Sequence, residues 1–380
     1  MTAAARITAP TVALFLPSLD GGGAERVFVD LANRFATLGL RVDMVLASAA
    51  GPYLEELAPA VRVVDLGASG VIASLPRLAR YLRTENPDAL LSGLDHANLV
   101  AILANRIGGS RTRCVVSVRG VPSAVLRQER TVSRWLSIQL AKILYRFAAG
   151  IIANSDSVAI DVVKSLGVGE GRVDVVHNPL DVARIDELSR ATVEHPWLAP
   201  GAPPVVLGVG RLSAVKDYRT LIDAFAIVRA KRDCRLVILG DGPDRDLLEA
   251  QLTRCGLQDD CHLPGFVANP FPWMRRASVL VSSSLTEGCP NVLLQALACG
   301  TPIVSTDCPG GSAEILANGK WGRLVAVGDS RSMADAVLAT LDAREHPPVQ
   351  RRAEDFAIGA TADRYLRILL PTHASIGVGT

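Results

Sequence analysis

The chain has 380 residues, 49% of them hydrophobic, with 40 basic against 38 acidic side chains. That length suggests two domains of ~100–200 residues each, and the hydrophobic fraction excludes a disordered chain. The near-neutral charge, with only 5 Tyr, 4 Trp and 8 Phe, excludes a dedicated nucleic-acid binder, because neither a basic surface nor stacking platforms are encoded.

Seven cysteines without a CxxC pair fit neither a disulfide framework nor a structural zinc site, so a reducing, cytoplasmic compartment is expected. Arg6 followed by TAPTVALFLPSL has the outline of a signal peptide. Its prolines, and the lack of a small-residue cleavage site, favour a first β-strand instead. No run of ~18 apolar residues occurs, so no membrane-spanning helix is expected.

In chain order, TVALFLPSL reads as a strand and GGGAER as a glycine loop. Val27, Leu31, Phe35 and Leu38 then recur at helical spacing until Gly39, before the strand RVDMVLA. That is a βαβ unit with a glycine-rich crossover. Strand-like runs continue at VRVVDLG, DALLSGL, RCVVSV, GIIANS and VDVVHN, each followed by a turn or a helical stretch. Such alternation predicts a parallel sheet covered on both faces. The Pro-rich stretch 195–204 reads as a linker. Beyond it the pattern restarts with PVVLGVG, RLVILGDG, DCHLPGF, SVLVSSS, TPIVSTD and GRLVAVG. The expected fold class is therefore α/β, with two doubly wound, Rossmann-like parallel-sheet domains, 1–195 and 196–354. A final helix over 355–370 packs back on the first, followed by a Gly/Ser/Thr tail. Ligands of such sheets bind at strand carboxyl ends, here in a cleft between the two domains.

Residues 1–190 carry the positive excess and the remainder a slight negative one. In the segment 127–146, Arg127, Arg130, Arg134, Lys142 and Arg146 punctuate Trp135, Leu136, Ile138, Leu140, Ile143 and Leu144. A basic amphipathic helix of this kind suits an anionic bilayer surface, or it turns its apolar stripe to its own core.

Two stretches carry chemistry. In GVGRLSAVKD, residues 208–217, Gly208 and Gly210 would bend the chain at a strand's carboxyl end and present Arg211 and Lys216. Two cations there suit a diphosphate, Arg gripping two oxygens and Lys acting as a point charge. Standing alone they are equally a solvated surface pair. In 282–302, a Ser/Thr-rich strand end leads to Glu287, the turn Gly288-Cys289-Pro290-Asn291 and a helix beginning near Asn291. The open amides and positive end of that helix suit phosphates or hydroxyls. Glu287 would accept hydrogen bonds from sugar hydroxyls or balance the two cations.

Taken with RLVILGDGPDRDLLE and GFVANPFPWM, these motifs resemble the retaining GT-B glycosyltransferases of family 4 over nearly all of residues 204–345. The N-terminal half fits more loosely, through GGGAER, ANSD at 153–156 and VVHNPLD at 175–181. Within the family the chain is most similar to enzymes that extend lipid-linked oligosaccharides, capsule or exopolysaccharide repeats. The resemblance implies that Arg211 and Lys216 hold the donor diphosphate, beside Gly210, and that Glu287 contacts the transferred sugar. It implies that Gly288, Cys289, Pro290, Asn291, Val292 and Leu293 supply supporting amides, and that the backbone at Phe266 and Val267 meets the nucleobase. Gly22 and Gly23 match the loop near phosphates and acceptor.

Two positions depart from the pattern. The family's second Glu is here Gln295, which keeps an acceptor oxygen but no charge. Where many members carry a His after RCVVSV, this chain has Arg119, which can hold a phosphate but cannot act as a base. His96, in GLDHAN beside Asp95 and Asn98, is either an acceptor-side group or a hydrogen-bonded structural histidine, and His177 falls near the hinge.

The resemblance implies sugar transfer from a nucleotide-sugar donor, UDP-linked by expectation, to a lipid-linked saccharide acceptor at an anionic membrane surface, on its cytoplasmic face. No metal and no cofactor is expected, because no convincing D-x-D loop occurs and the protein supplies its own cations. A GT-B nucleotide-sugar epimerase is one alternative. A phosphorylase is another, but its pyridoxal would need Lys216, Lys231 or Lys320. A non-catalytic sugar-nucleotide-binding subunit is the third.

Overall fold

The computed structural model describes residues 9–124 and 131–371. Arg6, Arg127, Arg130 and the tail after 371 lie outside the described residues, as does the side chain of Arg134. The first elements are β1 (Thr11–Leu16), α1 (Gly23–Thr37), β2 (Arg41–Leu46), β3 (Val61–Asp65), α2 (Leu75–Glu85), β4 (Ala89–Gly93) and α3 (Asp95–Ile107). There follow β5 (Arg113–Val118), α4 (Val132–Leu144), β6 (Gly150–Ala153), α5 (Asp156–Leu166) and β7 (Val173–Val175). Next come α6 (Val182–Ser189), β8 (Val205–Val209), α7 (Tyr218–Arg229), β9 (Arg235–Leu239), α8 (Arg245–Cys255), β10 (Cys261–Gly265), α9 (Phe271–Arg276) and β11 (Val279–Ser282). The series closes with α10 (Asn291–Cys299), β12 (Ile303–Thr306), α11 (Ser312–Ile315), β13 (Arg323–Val325), α12 (Ser330–Leu341), α13 (Gln350–Ala353) and α14 (Ile358–Leu369).

The chain divides into two units, Met1–Pro179 with Ile358–Thr380, and Leu180–Ala357. In the first, seven parallel strands run in the order β3-β2-β1-β4-β5-β6-β7. The strands at its centre are almost continuous apolar runs, as a sheet covered on both faces requires. Alternate side chains serve opposite layers. Ala13 and Phe15 of β1 join the core beneath α2, α3 and α5, while Val12, Leu14 and Leu16 join Phe28 and Phe35 of α1 and Tyr365 of α14.

The second unit repeats the plan with six parallel strands, β10-β9-β8-β11-β12-β13. Val205 and Leu207 of β8 face a core built with α9 and α10, and Val206 faces α7, α8 and α12. All thirteen strand-like runs of the sequence become strands. Both sheets reverse their winding once, between β1 and β4 in the first and between β8 and β11 in the second. At such a switch point the two connections leave in opposite directions and open a crevice at the carboxyl ends of the strands.

Three details differ from the sequence reading. The unit boundary falls at Pro179 and Leu180, not at 195. Leu180 and Ile185 are buried in the second unit's core, and the Leu180 N–H donates to Phe356 O at 2.9 Å. The Pro-rich stretch lies within that unit, where His195 and Trp197 pack against His262. GGGAER is not a free loop, because α1 begins at Gly23. Gly208 does not bend the chain but lies within β8, where a Cβ would stand 3.0 Å from the Tyr218 ring.

Candidate active site

In the second unit, the loops after β8 and β11 flank the switch point, and hydrogen bonds stitch them together. The Leu285 N–H donates to Val215 O at 2.8 Å, and the Ser283 hydroxyl donates to Lys216 O at 2.7 Å. The loop after β12 closes the far side, where the Glu287 N–H donates to Pro309 O and the Gly311 N–H to Gly288 O. Gly310 makes this approach possible. Its φ is +132°, and a Cβ there would lie 1.8 Å from Glu287 O. Gly240 does the same on the β9 side, with φ +138° and a Cβ position 2.0 Å from Gly210 O.

This scaffold brings Lys216 and Glu287 together across the switch point. Lys216 Nζ lies 2.5 Å from Glu287 Oε1, with 24% and 12% of the two side chains exposed. The same Oε1 accepts the Ser284 hydroxyl at 2.7 Å. Beneath them, burial pushes the Tyr218 phenol up, helped by the negative charge of Glu287, so it stays a neutral floor. Arg211 shares the loop with Lys216 but is exposed and makes no ion pair among the described residues. The site thus holds one engaged and one free cation beside a carboxylate.

The turn Gly288-Cys289-Pro290 runs directly into α10, which Pro290 starts without a side-chain cap. The side chains of Cys289 and Leu293 lie in the apolar core, and those of Asn291 and Val292 are half-buried. This stretch therefore offers main chain rather than side chains, as a helix N-terminus that meets an anion should. Gln295, one turn further along, is half-buried and has no hydrogen-bond partner among the described residues. After β10, the Phe266 ring is 63% exposed while Val267 packs partly into the core.

The first unit's switch point has its own set of groups. Gly22 caps α1, and the loop before it is braced. Tyr53 OH donates to Gly21 O at 3.2 Å, and the Arg26 guanidinium lies 3.9 Å from the Tyr53 ring centroid while pairing with Glu56. Arg119 is pinned, donating to Asn178 Oδ1 at 2.6 Å and to Ser117 Oγ at 3.3 Å. His96 is exposed in the first turn of α3. Its neighbour Asn98 is buried and donates to Ser117 O and Tyr145 OH. Leu94, between β4 and α3, holds φ +74°, a strained value for a branched residue. His177 sits two residues before the unit boundary.

Sequence reasoning missed Glu25, Ser283, Ser284 and Gly310. Glu25 folds its carboxyl over Gly22, and burial raises its pKa while the nearby Arg119 opposes the rise. A Glu three residues after a helix cap was its available signal, the second half of a capping box whose first half the side-chain-less Gly22 lacks. Among the described residues no group of three or more His, Cys, Asp or Glu is placed to hold a metal.

Comparison with known proteins fits this geometry. Residues 21–184 match the family described as Glycosyltransferase Family 4, and residues 203–343 match Glycosyl transferases group 1. A Campylobacter jejuni protein, N-acetylgalactosamine-N,N'-diacetylbacillosaminyl-diphospho-undecaprenol 4-alpha-N-acetylgalactosaminyltransferase, is 29% identical over 340 residues, covering 87% of this chain and 89% of its own. The lipopolysaccharide core biosynthesis glycosyltransferase LpsE of Rhizobium meliloti is 26% identical over 92% of this chain and 96% of its own. Among solved structures, Anabaena HepE in complex with UDP-glucose is similar with a TM-score of 0.77 at 22% identity, over 96% of this chain and 100% of that one. Two parallel-sheet units of this topology, matched along both halves, make the chain a GT-B glycosyltransferase of family 4.

Proposed function

We propose that the protein transfers a sugar from a nucleotide-diphosphate donor, UDP-linked, to a hydroxyl of a lipid-linked saccharide acceptor, with retention at the anomeric carbon. The Lys216–Glu287 pair at the second unit's switch point carries this reading. A donor diphosphate draws Lys216 Nζ and the free Arg211 guanidinium to its oxygens and leaves Glu287 to accept from a sugar hydroxyl. The bond from C1 to the diphosphate breaks, and a bond from C1 to the acceptor oxygen forms on the same face. The acceptor proton passes to a departing phosphate oxygen. Stabilising the charge that builds on the leaving diphosphate supplies much of the rate. The two protein cations balance that charge, so transfer should survive EDTA.

The lipid-linked acceptor is supported by the Campylobacter relative, whose name specifies a diphospho-undecaprenol substrate. We take the reaction with such an acceptor to run on the cytoplasmic face of an anionic membrane. No described helix is long and apolar enough to cross a bilayer, but α4 carries an apolar face to solvent. Val132, Trp135, Leu136, Leu140, Ile143 and Phe147 are all exposed, and Arg106 and Arg146 lie 4.0 and 5.1 Å from the Phe147 ring centroid. Apolar side chains flanked by cations fit the headgroup boundary of anionic lipid. The decisive assay offers UDP-sugars with an undecaprenyl-diphosphate saccharide and follows the product and its anomeric configuration by NMR. Absence of transfer across a panel of UDP-, GDP- and ADP-sugars would refute the reading.

A further inference from the structure

We propose that Ser283 and Ser284 are positioning residues with separate duties, Ser283 fixing Lys216 for the nucleotide and Ser284 fixing Glu287 for the sugar. Both follow β11, and both are 1% exposed, so their hydroxyls must find protein partners. Each ends on a different member of the charged pair. Ser283 Oγ donates to the main-chain oxygen of Lys216, and Ser284 Oγ donates to the carboxylate of Glu287, both at 2.7 Å. The carbonyl of Ser284 is itself held by the Thr306 hydroxyl at 2.6 Å, from the end of β12.

The two attachments act differently once a donor arrives, and in this the inference rests on the donor reading above. Lys216 is gripped through its backbone, so its ammonium remains free to leave Glu287 for a phosphate. Glu287 is gripped through Oε1, so after Lys216 leaves, Ser284 still orients the carboxylate and Oε2 faces a sugar hydroxyl. UDP carries no sugar and cannot sense that orientation. Ser284 is therefore felt in the chemical step, and Ser283 in nucleotide affinity.

The test compares Ser283→Ala and Ser284→Ala by calorimetric titration with UDP and by steady-state transfer from the UDP-sugar. Ser283→Ala should raise the UDP Kd about tenfold, and Ser284→Ala should lower kcat about tenfold with the UDP Kd within about twofold of wild type. A purely structural role would move both quantities together in both variants, and that result overturns the inference. If either alanine variant unfolds, Ser283→Cys or Ser284→Cys, slightly larger and a weaker donor but filling the site, is read by the same criteria. A wild-type chain that takes no UDP overturns the donor reading and this inference with it. Tight UDP binding by wild type without the split overturns this inference alone.

Discussion

Two opposite charges 2.5 Å apart with little exposure are each other's replacement for water. Removing one leaves the other partly buried and uncompensated, which costs more than the pair contributes. Lys216→Ala should therefore lower kcat/KM by roughly 10²–10³, the range for losing a charge-stabilising donor. Steady-state rates measure it, and activity within threefold of wild type would remove Lys216 from the site. Gly310→Ala should be severe for a different reason. Its Cβ would meet Glu287 O at 1.8 Å in a left-handed backbone, so the loop that aims Glu287 must shift. We expect ~1–3 kcal/mol lost in denaturant unfolding together with most of the activity. Lys216 and Glu287 were legible in the sequence because their neighbours form contiguous motifs. Gly310 was not, because its role depends on a loop 23 residues earlier.

At the scale of elements, α4 and the 195–204 stretch make separate predictions. Replacing Trp135 and Ile143 of α4 with Ser removes apolar surface that is already exposed, so stability should hardly change. Co-sedimentation with vesicles rich in anionic lipid should fall, and turnover of a water-soluble acceptor should persist. Unchanged sedimentation would assign this face to something other than lipid. In the second unit, His195 and His262 stand with ring centroids 5.1 Å apart, and Trp273 lies beside His195. Burial lowers both pKa values, with His262 acting further on His195 and Arg245 on His262. A histidine whose folded pKa is depressed binds fewer protons when folded. Its stabilisation is thus present above the unfolded value of ~6.5 and lost as pH falls below it. Tm should drop on acidification from pH 7 to 5, and His195→Gln should flatten that slope. A slope unchanged in the variant would place the acid sensitivity elsewhere.

Across the whole molecule all thirteen strands were readable, the central ones because parallel strands buried on both faces are nearly uninterrupted apolar runs, and the part-exposed edge strands β3, β7, β10 and β13 from the turns and helical stretches that alternate with them. The boundary was not, since Leu180 and Ile185 look like any apolar pair until the core they enter is known. Prolines at 195–204 mimic a linker but run along the second unit. Ligand binding should respect the division. UDP at a hundred times its Kd should stabilise the unit that holds it by ~2.7 kcal/mol. In calorimetry its transition should rise while that of the first unit stays. An equal rise in both would mean that UDP contacts both.

Helix α14, which follows the whole second unit in the chain, completes the core that β1 and α1 begin. Tyr365 and Leu369 are 0% exposed against Phe28 and Phe35. During synthesis, residues 180–357 emerge as one contiguous stretch and can finish folding while the first unit still waits for its closing helix. Until the ribosome has released α14, an apolar stripe of α1 stays uncovered. A nonsense mutation just ahead of α14 would therefore damage the amino-terminal unit of the product, and spare the second unit that it directly follows.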